Sequence, residues 1–158
     1  MLKKINSRQY HAEITITIKQ NQTIYKGKAL LDTGSTGSLI HPNIINQYGF
    51  ITEKLPQTRS IYNADGTKIK GGITKSLTAG LMTDISNNPH TFAISEIGDD
   101  DVIIGLDWIK KINPIINWKQ GYMQKNDKQA KINYRSTCIQ NKQINNNIPW
   151  KFDKKKRK

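Results

Sequence analysis

One short stretch constrains this chain more than any other: Leu30-Leu31-Asp32-Thr33-Gly34-Ser35. Two large apolar residues lead into a carboxylate, and small hydroxyl and glycine residues follow it at once. An apolar run of this kind wants to be a buried strand. Asp-Thr-Gly-Ser is turn chemistry. The strand must therefore stop at Asp32 and present one ionisable group rigidly at its tip, where backbone N–H groups can reach its oxygens. A single carboxylate cannot accept and donate a proton in one step. Two carboxylates held against each other can, because repulsion makes them share a proton; one then serves as general base and the other as general acid. Asp-Thr-Gly occurs once in the chain, so a partner carboxylate has to come from a second copy.

The flanking sequence reads as strands. Residues 11–18 alternate apolar and polar over their second half, Ile14-Thr15-Ile16-Thr17-Ile18, which is the period of a half-buried strand. Gln20-Asn21-Gln22 is a turn cluster, and Ile24 to Leu31 is the next strand. After the Asp32 turn, Leu39-Ile40 returns to strand, and His41-Pro42-Asn43 opens a short helix over 43–48 that Gly49 ends. Ile61 to Thr74 reads as a hairpin around Asp65-Gly66. Residues 75–83 and 90–97 are further strands separated by Ser86-Asn87-Asn88-Pro89, and Val102-Ile103-Ile104 is a short buried strand ending at Gly105. Asp107 to Ile112 fits a short helix stopped by Asn113-Pro114; Ile115 to Trp118 and Tyr122-Met123 pair across Lys119-Gln120-Gly121. Beyond about residue 125 the periodicity fades into Asn/Gln-rich and then wholly basic sequence. The expected organisation is an N-terminal extension over 1–9, one domain over 10–129 and a basic, disordered tail over 130–158.

Composition narrows the function classes. The 158 residues carry a net charge of +13, but unevenly. Lys and Arg number six against one acid in residues 1–30, seven against nine in 31–118, and twelve against two in 119–158. The middle of the chain is slightly acidic, which argues against a domain built as a nucleic-acid platform and leaves a weak RNA or DNA contact to the tail. Lys154 to Lys158 also reads as a nuclear signal or a solvated tail. No apolar run approaches the length of a membrane-spanning helix, and polar residues after Met1-Leu2-Lys3-Lys4 argue against a secretory signal. The expected location is intracellular: the cytoplasm, a virus-like particle or the nucleus. One cysteine, Cys138, excludes an internal disulfide and a Cys-based zinc cluster. Asp99-Asp100-Asp101 reads as a charged loop and not a metal site, since ligands must converge. His11, His41 and His90 lack a nucleophile context and read as structural. No metal or cofactor is expected.

Leu31-Asp32-Thr33-Gly34-Ser35 resembles the active-site motif of aspartic proteases, and a single copy in a short chain is similar to a retropepsin, the homodimeric protease of retroviruses and LTR retrotransposons. Ile61-Tyr62-Asn63-Ala64-Asp65-Gly66-Thr67 resembles the flap of gypsy-type retrotransposon proteases. Asp101-Val102-Ile103-Ile104-Gly105 resembles the second signature, which supports the catalytic loop from below. Asp107-Trp108-Ile109, Asn113-Pro114 and Ile116-Asn117-Trp118 are similar to the segment that closes the domain. An Asp-Thr-Gly triplet alone arises by chance in roughly a few per cent of chains this long; the ordered set over residues 10–125 is far more specific.

The resemblance implies an all-β fold, a small closed barrel-like domain with one short helix, dimeric through its termini. It implies an aspartic endopeptidase of Gag-Pol polyprotein origin, with Asp32 catalytic and Thr33, Gly34 and Ser35 supporting the loop. Thr33 then reaches across the dimer to the partner's loop, and Ser35 bonds Asp32. Asn63, Ala64, Asp65, Gly66 and Thr67 form the moving flap over an extended polypeptide substrate, and Ile103, Ile104 and Gly105 are structural. Three alternatives stand beside this reading: a Greek-key β-domain in which Asp32 only caps a turn, a catalytically silent dimerisation module of the same fold, and a nucleic-acid-binding module acting through the tail.

Overall fold

The computed structural model describes residues 8–62, 66–125, 128–131 and 133–138. The chain opens with a long hairpin of β1 (Arg8–Gln20) and β2 (Thr23–Leu31), in register from Ala12 opposite Leu31 to Gln20 opposite Thr23. The alternation in β1 has its expected result. Ile14, Ile16 and Ile18 are buried, while Thr15 faces solvent. Asn21 takes the left-handed conformation at the turn, φ 53°, which its short polar side chain tolerates.

After the Asp32 turn come β3 (Leu39–Ile40), α1 (Pro42–Tyr48), β4 (Glu53–Arg59), β5 (Ile73–Thr83), β6 (Ser86–Ile94), β7 (Val102–Ile104) and α2 (Leu106–Ile112). The C-terminal part adds β8 (Ile115–Asn117), β9 (Tyr122–Lys125), β10 (Lys128–Lys131) and β11 (Asn133–Cys138). The main sheet runs β11-β1-β2-β7-β3-β6-β5-β4, and β1 also pairs with β5. That extra pairing, Thr17 to Met82 through Lys19 to Gly80, closes β1-β2-β7-β3-β6-β5 into a six-stranded barrel. Gln20 seals the seam. Its amide donates to the carbonyls of Ile51 and Thr78 at 2.9 and 3.1 Å, and its Oε1 accepts the Ile51 N–H at 2.8 Å. Strands β8, β9 and β10 form a separate three-stranded sheet. The barrel interior is filled by Ile14, Ile16, Ile18, Leu77, Leu81, Phe92, Val102 and Ile104, with Trp108 and Met123 in the same cluster.

Local chemistry ends the helices where expected. His41 caps α1, its Nδ1 accepting the Asn43 N–H at 3.1 Å. Gly49 closes α1 at φ 71°, and Asn113 closes α2 at φ 47°.

The structure corrects four expectations. Among the described residues there are two short helices, not one. The turn between β5 and β6 falls at Asp84-Ile85, so Ser86 to Pro89, expected as a turn, is strand paired with β5. Pro89 is tolerated because β3 meets β6 only at Ala93 and Ile94, leaving that side of β6 unpaired at Pro89. The hairpin expected over 61–74 has longer arms, since β4 precedes it and pairs with β5 through a bulge. Glu53-Lys54-Leu55-Pro56-Gln57-Thr58-Arg59 carries no apolar period because β4 is an exposed edge strand. Residues 133–138, expected in the disordered tail, pair with β1 from Glu13 to Arg8 as β11; the chain from 139 onward lies outside the described residues, as do residues 1–7. No helix among the described residues is long and apolar enough to cross a membrane.

Leu77, opposite Phe92 and fully buried, should tolerate truncation poorly. Leu77→Ala is expected to cost about 2–5 kcal/mol in urea unfolding, through lost burial and a residual cavity. Ile51→Ala, at a side chain 65% exposed, should stay within about 0.5 kcal/mol. Equal losses at the two positions would contradict the core assignment.

Candidate active site

The turn after β2 is held from beneath. Strand β7 runs parallel to β2, with Leu30 beside Ile103 and Leu31 beside Ile104. The Asp32 N–H continues that ladder by donating to the Ile104 carbonyl at 3.0 Å. The chain then leaves the sheet. The Asp32 side chain closes an Asx-type turn on itself, Oδ1 accepting the Gly34 N–H at 2.8 Å. Among the described residues Oδ2 has no partner, and Asp32 is part-exposed. One oxygen is thus oriented by the backbone and the other is left open for chemistry.

Gly105 makes the close approach possible. It is buried, and a Cβ there would strike the carbonyl of Gly37 and come within 2.9 Å of the Ser35 carbonyl. The next N–H, that of Leu106, donates to Ser35 O at 2.8 Å. Ile103, Ile104 and Gly105 thus lie beneath the Asp32 turn.

The Ser35 hydroxyl does not bond Asp32, as the resemblance implied. It donates to the Gly37 carbonyl at 2.7 Å and so stiffens the far side of the turn. Thr33 and Gly34 are exposed, and the Thr33 hydroxyl has no partner among the described residues.

Three residues complete the support: Ser38, which sequence reasoning did not single out, and His90 and Asp107, which it read as structural and as part of the closing segment without joining them to this turn. Ser38, buried at the end of the turn, donates from Oγ to Asp107 Oδ1 at 2.7 Å and accepts the Gly105 N–H at 3.1 Å. The Ser38 N–H donates to Asp107 Oδ2 at 3.0 Å. His90 Nε2 lies 2.8 Å from the same Ser38 hydroxyl. The only hint in the sequence was a serine placed between a glycine-rich turn and an apolar strand, where it had to be buried.

The flap segment is only partly described. Tyr62 bridges Lys68, the Ile69 N–H donates to the Ile61 carbonyl at 2.9 Å, and Gly66 sits at φ 83°. Gly66 and Thr67 therefore begin the returning arm of a hairpin carried by β4 and β5. Asn63, Ala64 and Asp65 lie outside the described residues.

Of the three consecutive aspartates, Asp101 is committed to the fold: its Oδ2 accepts the Tyr25 hydroxyl at 3.1 Å and its carbonyl accepts the His41 N–H at 2.9 Å. Burial, reinforced by Asp101, pushes the Tyr25 phenol well above its ordinary pKa. No group of three or more potential metal ligands converges among the described residues.

The barrel, the strand-tip carboxylate and the glycine-cushioned loop beneath it define the retropepsin-like class of aspartic protease domain. The family model of the PEG10/RTL1 protease domain matches residues 28–134, more than half of the chain, and the chain belongs to that family. No curated protein matches it. Among solved structures, the retroviral protease-like domain of Ddi1 from Leishmania major superposes with a TM-score of 0.54 at 19% identity, covering 77% of this chain and 92% of that one. EIAV protease complexed with the inhibitor HBY-793 gives 0.47 at 16% identity over 74% and 99%. A retropepsin-like aspartic protease from Rickettsia conorii gives 0.42 at 13% identity over 87% and 100%.

The contact at Gly105 is the least forgiving in the site. Gly105→Ala is expected to destabilise the protein by about 1–3 kcal/mol, because the obstructing atoms are backbone and cannot rotate away. Gly49→Ala loses only a left-handed cap with open space around it and should cost about 1 kcal/mol. Denaturant midpoints compare them, and a harmless Gly105→Ala would refute the close packing.

Proposed function

We propose that this protein is a homodimeric aspartic endopeptidase in which Asp32 of each copy supplies one of two catalytic carboxylates. The observation that carries the reading is the state of Asp32: part-exposed, rigidly presented by Gly34 and Ile104, and with Oδ2 unbonded among the described residues. A carboxylate so placed, once per chain, is half of an acid–base pair.

In the dimer, the two carboxylates share one proton. The ionised member takes a proton from a water held between them, and that water attacks the scissile carbonyl carbon. The protonated member gives its proton to the carbonyl oxygen, leaving a neutral gem-diol. Its collapse breaks the C–N bond, with a proton passing to the leaving amine. No covalent acyl-enzyme forms. The exposed Thr33 hydroxyl reaches the partner's loop and holds the two turns in register. The β4–β5 hairpin, carrying Asn63 to Thr67, closes over an extended peptide that pairs with it as a strand. The substrate is a polypeptide, of the Gag-Pol polyprotein type from which such domains derive. The basic residues beyond 138 add a salt-sensitive contact to RNA or DNA without entering the catalytic site.

Asp32→Asn should abolish peptide cleavage while leaving the melting temperature near wild type, since asparagine keeps the shape but cannot shuttle a proton. Excess Asp32→Asn protein should also poison wild-type activity by forming mixed dimers. An active Asp32→Asn protein, or wild type indifferent to the mixture, would refute the paired-carboxylate mechanism.

Activity should follow a bell in pH with its maximum on the acidic side of neutrality. In strong acid both carboxyls are neutral and the water has no base. In alkali both are charged, the acid is lost, and their repulsion weakens the dimer. A peptide-cleavage rate rising steadily from pH 6 to pH 9 would point to a different hydrolase.

A further inference from the structure

The Ser38 hydroxyl carries one hydrogen and two lone pairs, and three groups meet it. Its hydrogen goes to the Asp107 carboxylate at 2.7 Å, and one lone pair accepts the Gly105 N–H at 3.1 Å. The third partner, His90 Nε2 at 2.8 Å, must therefore be a donor. This requirement places a hydrogen on Nε2 and makes Nδ1 the nitrogen of the neutral ring that can still take up a proton. Three elements are tied at one oxygen: the end of the catalytic turn, the junction of β7 with α2, and β6.

Protonation of this ring would place a cation where the structure offers it little. His90 is buried and packed edge-on against Phe92 at 5.0 Å. The charged groups facing it come from α2. Asp107 Oδ2 is 3.5 Å away, but that carboxylate already accepts the Ser38 N–H, the Ser38 hydroxyl and the Trp108 N–H. Lys111, whose Nζ donates to the Pro89 carbonyl at 3.0 Å, adds a positive charge beside it. Strand β5 offers uncharged Ala79 opposite the ring, with Thr78 and Gly80 on either side. A cleft of about 310 Å³, lined by Thr78, Pro89, His90, Thr91, Asp107 and Lys111, gives protons access.

We propose that His90 is a positioning residue for the catalytic turn: its Nε2–H holds Ser38, and the charge that a second proton on Nδ1 brings into this buried site disfavours the folded arrangement that carries Asp32. The acidic limb of the cleavage profile then reports His90 as well as the carboxylate pair; that part rests on the protease reading above. Burial, opposed by Asp107 and aided by Lys111, lowers the His90 pKa from its ordinary 6.5. The sign follows. As pH falls through 6.5 the unfolded chain takes up a proton that the folded ring resists, so the stability contributed by neutral His90 is lost progressively in acid.

The test compares wild type, His90→Gln and His90→Ala between pH 8 and pH 4.5, by thermal melting and by kcat and KM for peptide cleavage. Glutamine supplies an N–H to Ser38 but does not titrate. At pH 7.5 His90→Gln should keep kcat within about twofold, and His90→Ala should lose about tenfold in kcat, the worth of one buried hydrogen bond, with KM little changed. On acidification the wild-type melting temperature should fall by several degrees more than that of His90→Gln, because other titrating groups cancel in the difference. Parallel melting curves would overturn the proposal. Diverging curves without cleavage by any variant would support the His90 contact while sinking the protease reading, and cleavage with parallel curves would do the reverse. Should the variants fail to fold, ¹⁵N NMR of wild type at pH 7.5 decides the tautomer: a protonated Nε2 supports the assignment and a protonated Nδ1 overturns it.

Discussion

The structure depends on how closely β7 approaches the underside of the Asp32 turn. A parallel strand pair, Leu30-Leu31 beside Ile103-Ile104, delivers the carboxylate to the rim of the barrel. The chain must then fold back over the next residue of β7 within backbone contact distance. Only a residue without a side chain permits this, and Gly105 is that residue. Everything that makes Asp32 a presentable acid follows from that contact. The Asp32 N–H finds the Ile104 carbonyl, the Leu106 N–H finds the Ser35 carbonyl, and the Gly105 N–H finds Ser38. The turn has no apolar core of its own, so hydrogen bonds to the β7–α2 junction hold it in place.

Ser38 and Asp107 extend this logic into α2. The Asp107 carboxylate sits in the first turn of the helix, where unpaired backbone N–H groups favour a negative charge. It accepts from the Ser38 backbone, the Ser38 hydroxyl and the Trp108 N–H. Trp108, the next residue, is buried in the barrel cluster. One short helix thus anchors the turn with its polar first residues and anchors itself with its apolar ones. This order of construction fixes the Asp32 carboxylate in place, whereas a carboxylate on a loose loop would have no fixed partner for its proton.

Barrel closure supplies the rigid frame. With 35% apolar residues the chain has little to spare, and it concentrates them in a narrow interior: Ile14, Ile16 and Ile18 from β1 meet Leu77 and Leu81 from β5 and Phe92 from β6. The β1–β5 pairing is short, and Gln20 ties both strands to the connection after α1. Part of the charge excess sits on the barrel itself, at the exposed Lys19, Lys26 and Lys28 of β1 and β2, where solvent and not the interior receives it, and the larger part lies in the last 40 residues.

Much of this was legible in the sequence because it is local chemistry. The alternation at Ile14, Ile16 and Ile18, the strand that stops at Asp32, the His41-Pro42 start and Gly49 end of α1, and the short buried strand that ends at Gly105 each follow from residue type and spacing over a few positions. What stayed hidden was decided by partners far away in the chain. Strand β4 lies on an edge and needs no apolar face, so its sequence has no period to read. Ser86 to Pro89 looks like a turn, yet it is strand because β5 supplies its hydrogen bonds. Strand β11 exists because β1 offers it an open edge. Ser35 faces Gly37 and not Asp32 because the turn curls away from the carboxylate. Ser38, His90 and Asp107 are 52 and 17 positions apart along the chain, and only barrel closure brings them to one oxygen atom. The sequence by itself determined which carboxylate is presented and that it is alone; the tertiary structure decided which residues hold it, because hydrogen bonds across a closed barrel join residues that share no local pattern.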